Sequence, residues 1–126
     1  MLWFGGLRKT LGADVSIVKL WAGRVYGTHL GNLFVALVGS DDELQGTVHF
    51  NDDQNGLAKY TVTGTFDGTH LTLEGKPVGE HPGLALGNLK VTAALNPEGM
   101  LLGQWETTIG SAGTFEAHPH DQSQHL

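Results

Sequence analysis

Leu44-Gln45-Gly46-Thr47-Val48-His49-Phe50-Asn51 decides the fold class, because Leu44, Gly46, Val48 and Phe50 share one parity while Gln45, Thr47, His49 and Asn51 take the other. A period of two is the signature of a strand with one face in a core and one in water. The turn Asp52-Asp53-Gln54-Asn55-Gly56 follows, and its Asn-Gly pair tolerates the positive φ that tight hairpin turns need. Alternation then resumes. Ala58, Tyr60, Val62, Gly64 and Phe66 fall on the inner side, and Lys59, Thr61, Thr63 and Thr65 form a polar, largely β-branched outer row. After Asp67-Gly68 turns the chain again, Leu71 and Leu73 point inward against His70, Thr72 and Glu74. These three runs predict an antiparallel meander whose short connections leave no room for crossover helices.

The flanking sequence repeats the pattern. On the N-terminal side a strand is expected over 15–28, where Trp21, Gly23 and Val25 share a parity, followed by a turn at Gly31-Asn32 and a nearly continuous apolar strand over 33–38. A barrel strand buries only alternate residues in its own interior, so either Phe34, Ala36 and Val38 or Leu33, Val35 and Leu37 must face outward. That apolar outer strip predicts self-association into a homo-oligomer, a dimer or a tetramer. Residues 1–14 read as an N-terminal arm whose Leu2, Trp3 and Phe4 are costly to leave in water and are expected to dock on the barrel or on a neighbouring subunit.

On the C-terminal side, residues 75–83 are rich in Gly and Pro and are expected to form the longest loop. Leu89, Val91, Ala93 and Leu95 restore alternation before the turn Asn96-Pro97-Glu98-Gly99. Strands over 100–107 and about 113–117 complete the series, and residues 118–126 read as a polar tail. Eight sequential strands predict an all-β chain with one domain over 15–117, an eight-stranded antiparallel up-and-down meander barrel in which Val48, Tyr60, Val62, Leu71, Val91 and Trp105 face inward. Closure removes the exposed sheet edges that a two-sheet sandwich, the rival architecture, would leave.

Composition narrows the function classes. The chain has 126 residues, enough for one domain with a real core, and its 19 glycines show no three-residue period. With no Cys there is neither a disulfide framework nor a thiolate metal site. A net charge of −6 with seven Lys and Arg provides no basic stripe for a phosphate backbone, which argues against a nucleic-acid partner. The apolar opening residues precede Arg8 and Lys9, the reverse of a secretory signal, and no run reaches membrane-spanning length, so the expectation is a cytoplasmic protein without a membrane partner.

Few residues offer chemistry. Trp21 and Trp105 are candidates to line the mouth of a barrel cavity, since a barrel of eight strands is just wide enough for packed side chains or one small ligand. Seven His are present, but His29, His49 and His70 fall on outer or turn positions and only His118 and His120 are close in sequence, so no metal site is assigned. Asp41-Asp42 and Asp52-Asp53 lie where turns use Asp to bond the backbone. Ser111 lacks a nucleophile-elbow context, and no catalytic residue or cofactor is assigned.

Four segments together, Trp21 followed by Gly27-Thr28, Leu44-Gln45-Gly46-Thr47, the run from Tyr60 to Asp67, and Gln104-Trp105-Glu106-Thr107-Thr108-Ile109-Gly110-Ser111, resemble the avidin and streptavidin family of calycin-type barrels. The likeness spans about residues 20–112 and implies the barrel fold. Of the positions that grip the ureido group of biotin in that family, Gly23, Val48 and Phe50 carry no hydrogen-bonding side chain here and Thr28 alone keeps a hydroxyl. Biotin is therefore expected to bind weakly or not at all. The leading functional expectation is a non-enzymatic barrel that binds or senses an unknown small molecule, with Trp21, Thr28, Tyr60, Trp105 and Thr107 near the pocket. A structural or interaction module with a filled core and a small barrel enzyme are the alternatives. A Trp-lined cavity of some hundreds of Å³ would favour binding, and a packed interior the module.

Overall fold

A computed structural model describes residues 19–79 and 86–120. Within them lie eight strands: β1 (Lys19–Gly27), β2 (Gly31–Ser40), β3 (Glu43–Asp52), β4 (Gly56–Phe66), β5 (His70–Pro77), β6 (Leu89–Leu95), β7 (Leu101–Thr107) and β8 (Ala112–Pro119). Each pairs antiparallel with the next, and β8 pairs back onto β1, so the meander closes into a barrel. The architecture is consistent with a calycin-type fold, and the sandwich alternative is excluded by the closure.

The parity read from the sequence is the parity of the barrel. Leu44 and Val48 of β3, Ala58, Tyr60 and Val62 of β4, Leu71 and Leu73 of β5, Leu89, Val91 and Ala93 of β6 and Trp105 of β7 are all buried, with exposed residues between them on β4, β5 and β6. On β2 the choice between two apolar rows is settled: Leu33, Val35 and Leu37 go inside, and Phe34, Ala36 and Val38 face outward, half-buried. Cross-strand pairing of Leu20 with Ala36 and of Ala22 with Phe34 widens that outer row onto β1.

Three boundaries differ from the expectation. β2 is longer, Gly31–Ser40, because its ladder to β3 continues through ten residue pairs to the turn at Asp41. β5 runs on through Gly75, Lys76 and Pro77, which pair with Val62, Thr61 and Tyr60, so the loop begins after Pro77. A Cβ on Gly75 would sit 2.6 Å from Val62 Cγ1, so the glycine is a strand residue that makes room for its neighbour's branched side chain. β8 extends to Pro119, so His118 and Pro119 belong to the ladder with β1 and not to a tail. The predicted N-terminal arm, the start of the first strand at 15–18 and the remainder of the predicted loop and tail lie outside the described residues.

Alternate turns gather at opposite ends. The turns β1–β2, β3–β4 and β7–β8 lie at one end, the mouth, where Arg24 on the outer face of β1 bridges Asn32 and Asp53. The turns β2–β3, β4–β5 and β6–β7 lie at the other, where Lys19 meets Asp41 at 3.4 Å and stands over the Phe66 ring.

Candidate ligand-binding site

Inward side chains fill most of the barrel, and between them lies a cavity of about 60 Å³ lined from Leu71 and Leu101, at the starts of β5 and β7, to Trp105 and Thr107 near the mouth. Its walls are apolar: Val25, Leu33, Val35, Val48, Leu73 and Val91 contribute from β1, β2, β3, β5 and β6. Polar groups meet it from Tyr60, His29, Thr107 and Ser111. Burial pushes the Tyr60 phenol pKa up, which keeps it a neutral hydroxyl.

Trp105 is the best-anchored wall. It lies on β7 near the mouth, opposite Gly113 of β8, which in turn pairs with Gly27 of β1. A Cβ on Gly113 would stand 1.8 Å from the Tyr26 carbonyl oxygen, so only glycine lets β1 approach this closely. The indole N–H donates to that Tyr26 carbonyl at 3.1 Å and to the Thr114 carbonyl at 3.2 Å. Both acceptors fix the plane of the ring.

Across the mouth stands a pair that the sequence reading did not single out. Asp52 ends β3 on the same parity as Leu44, Val48 and Phe50, so its carboxylate turns into the barrel and its side chain is only 4% exposed. One oxygen accepts from the backbone N–H groups of Gln54 and Asn55 at 2.8 and 3.1 Å and faces Asn55 Nδ2 at 3.3 Å. The other lies 3.0 Å from His29 Nδ1. Burial opposes ionisation of Asp52, but the two backbone N–H groups and His29 outweigh it, and the pKa lies below the usual carboxylate value. The His29 ring is wedged between Phe50 and Trp105, with both ring centroids at 6.2 Å. A signal for Asp52 was available, since it continues the inner parity of β3, whereas His29 lies in the turn after β1, where strand parity gives no direction.

Of the five residues expected near the pocket, the barrel brings Tyr60, Trp105 and Thr107 together on the cavity wall. Trp21 is buried and faces inward on the far-end half of β1, where it pairs with Val35 and Pro119, but it does not line the cavity. Thr28 is exposed in the β1–β2 turn. Its hydroxyl donates to the Ala112 carbonyl and accepts from the Ala112 N–H, tying that turn to the start of β8. Two buried polar atoms lack a hydrogen-bond partner among the described residues, Trp21 Nε1 and Thr107 Oγ1, and the second belongs to a residue on the cavity wall. No group of three His, Asp or Glu side chains among the described residues could hold a metal ion. Val48 and Phe50, which stand at ureido-binding positions of the avidin resemblance, both line the cavity with apolar side chains. Comparison with protein-family models, with curated proteins and with solved structures gave no match.

Proposed function

We propose that this barrel is a non-enzymatic binding or sensing protein that takes the apolar end of a small molecule into its interior and keeps the polar end at the mouth. The observation that carries the reading is the cavity itself: apolar walls inside, with His29, Thr107 and Ser111 at its open end. Its size limits the ligand. Drug-sized sites run to roughly 300–1,000 Å³, so a space of about 60 Å³ holds a few non-hydrogen atoms of a ligand whose remainder extends out of the mouth. Biotin is not the ligand in this reading, because Val48 and Phe50 present no group to its ureido oxygen or nitrogens and a buried polar atom left unpaired costs about 1–3 kcal/mol.

The same small volume favours a second reading, an interaction module whose interior is filled. In either case the outer row of Phe34, Ala36 and Val38, beside Leu20 and Ala22, supports assembly into a homo-oligomer. Native mass spectrometry of freshly purified protein tests these proposals together. A small-molecule adduct on a dimer or tetramer is the expected result. A ligand-free spectrum that stays ligand-free on adding amphipathic small molecules selects the filled module, and a mass near 13.4 kDa removes the oligomer.

A further inference from the structure

The hydrogen-bonding pattern at the mouth specifies more than polarity. Asp52 is held ionised by backbone donors, and an ionised carboxylate only accepts. The 3.0 Å contact between its second oxygen and His29 Nδ1 therefore requires the proton on Nδ1. In its neutral form the imidazole then has Nε2 as an acceptor, whereas a protonated ring would donate from the same nitrogen, and the side chain lines the cavity. Of the donors nearby, the Trp105 N–H is already taken by the carbonyls of Tyr26 and Thr114. On the same wall the Thr107 hydroxyl is buried with no partner among the described residues, and it can both donate and accept.

We infer that the ligand's polar end is a neutral hydroxyl, an alcohol that donates its proton to His29 Nε2 and accepts from the Thr107 hydroxyl. The inference rests on the binding reading above and adds the head-group class. An ether oxygen has no proton for Nε2. A carboxylate has none either, and it would approach the ionised Asp52 in a chain of net charge −6. An alkylammonium could donate to Nε2 and to the Thr107 oxygen alike, but it would carry its charge against an apolar wall.

The test uses four probes of similar length on the full chain, followed by amide chemical shifts: 1-pentanol, its isomer butyl methyl ether, pentanoate and pentylammonium. All should shift cavity-wall amides such as those of Val48, Tyr60 and Val91 if they enter, and 1-pentanol should bind about tenfold more tightly than the isomeric ether, the worth of one well-formed hydrogen bond. His29→Phe should reduce the alcohol to the affinity of the ether and leave the ether unchanged. Should that variant fail to fold, imidazole nitrogen shifts of the unmodified protein give an independent reading: the Nδ1–H tautomer is expected, with Nε2 responding to 1-pentanol and not to the ether. Equal affinity of alcohol and ether, tighter binding of pentanoate or pentylammonium, or an Nε2–H tautomer would overturn the head-group inference while leaving the binding reading intact. If none of the four moves the cavity amides, the binding reading itself falls and this inference falls with it.

Discussion

The two ends of the barrel use the same parts in different ways. Each has an Asp whose carboxylate caps a turn and faces a His: Asp52 with Gln54, Asn55 and His29 at the mouth, Asp67 with Thr69, His70 and the His70 ring at the far end. Each also has an inward Trp of similar burial, Trp105 at the mouth and Trp21 beyond it. At the mouth the carboxylate is buried, the His ring sits 3.0 Å away between two aromatic rings, and the Trp N–H is fully engaged. At the far end the Asp and His side chains are each more than two-thirds exposed and 3.5 Å apart, and the Trp N–H has no partner among the described residues. Motif and residue type are shared, so the difference lies in surroundings: the mouth arranges polar groups around a gap, and the far end closes by apolar packing.

The largest effect that comparison predicts is in packing. Leu44 is 1% exposed and lies off the cavity, so Leu44→Ala should cost about 2–5 kcal/mol in urea unfolding. Leu33 is 9% exposed and already borders empty space, so Leu33→Ala should cost clearly less. Equal losses would mean that the two ends are packed alike.

The two tryptophans sharpen the contrast at nearly constant volume change. Trp105→Phe deletes a donor to two carbonyls, whereas Trp21→Phe deletes an N–H without a partner among the described residues. The first should be the more destabilising by about 1–2 kcal/mol in the same assay. A reversed order would show that Trp21 Nε1 has an undetected partner.

Acid titration separates the two aspartates. Both have folded-state pKa values below the ordinary 3.8, opposed by burial and driven by hydrogen bonds at Asp52, and driven by the N–H groups of His70 and Thr69 at Asp67. A depressed carboxylate pKa contributes stability above the unfolded value, and that contribution is lost as pH falls from about 4 through the folded value. Asp52→Asn should therefore cost about 1–2 kcal/mol at pH 7, with the gap to the parent protein narrowing below pH 4. Asp67→Asn should show a smaller, salt-sensitive loss, because solvent screens that exposed pair.

The smallest effect has the opposite sign. Thr107→Val replaces a buried, unpartnered hydroxyl with a methyl group of similar shape, so the ligand-free barrel should be unchanged or up to about 1 kcal/mol more stable, and alcohol binding should weaken. A clear loss of stability without ligand would indicate a structural bond to that hydroxyl.

Strand number, antiparallel order and the inner or outer face of nearly every strand residue were legible in the sequence, because a strand's period of two is a local property and the turns after β3, β4 and β6 announce themselves through Asn-Gly, Asp-Gly and Asn-Pro, whereas Gly31 and Asn32, expected in a turn, begin β2. Even Asp52 stood on an inner parity. What periodicity cannot contain is position along the barrel axis and the identity of the neighbour across the interior. Those depend on the register of all eight ladders and on β8 closing onto β1, which brings residues as distant as Tyr26 and Trp105 within 3.1 Å. Closure placed Trp21 at the opposite end from Trp105, put Thr28 to work tying two turns together, turned Asp52 from a turn residue into the buried partner of His29, and left a cavity where the inward side chains do not quite meet. A local pattern says which way a side chain points, and only the assembled barrel decides what it points at.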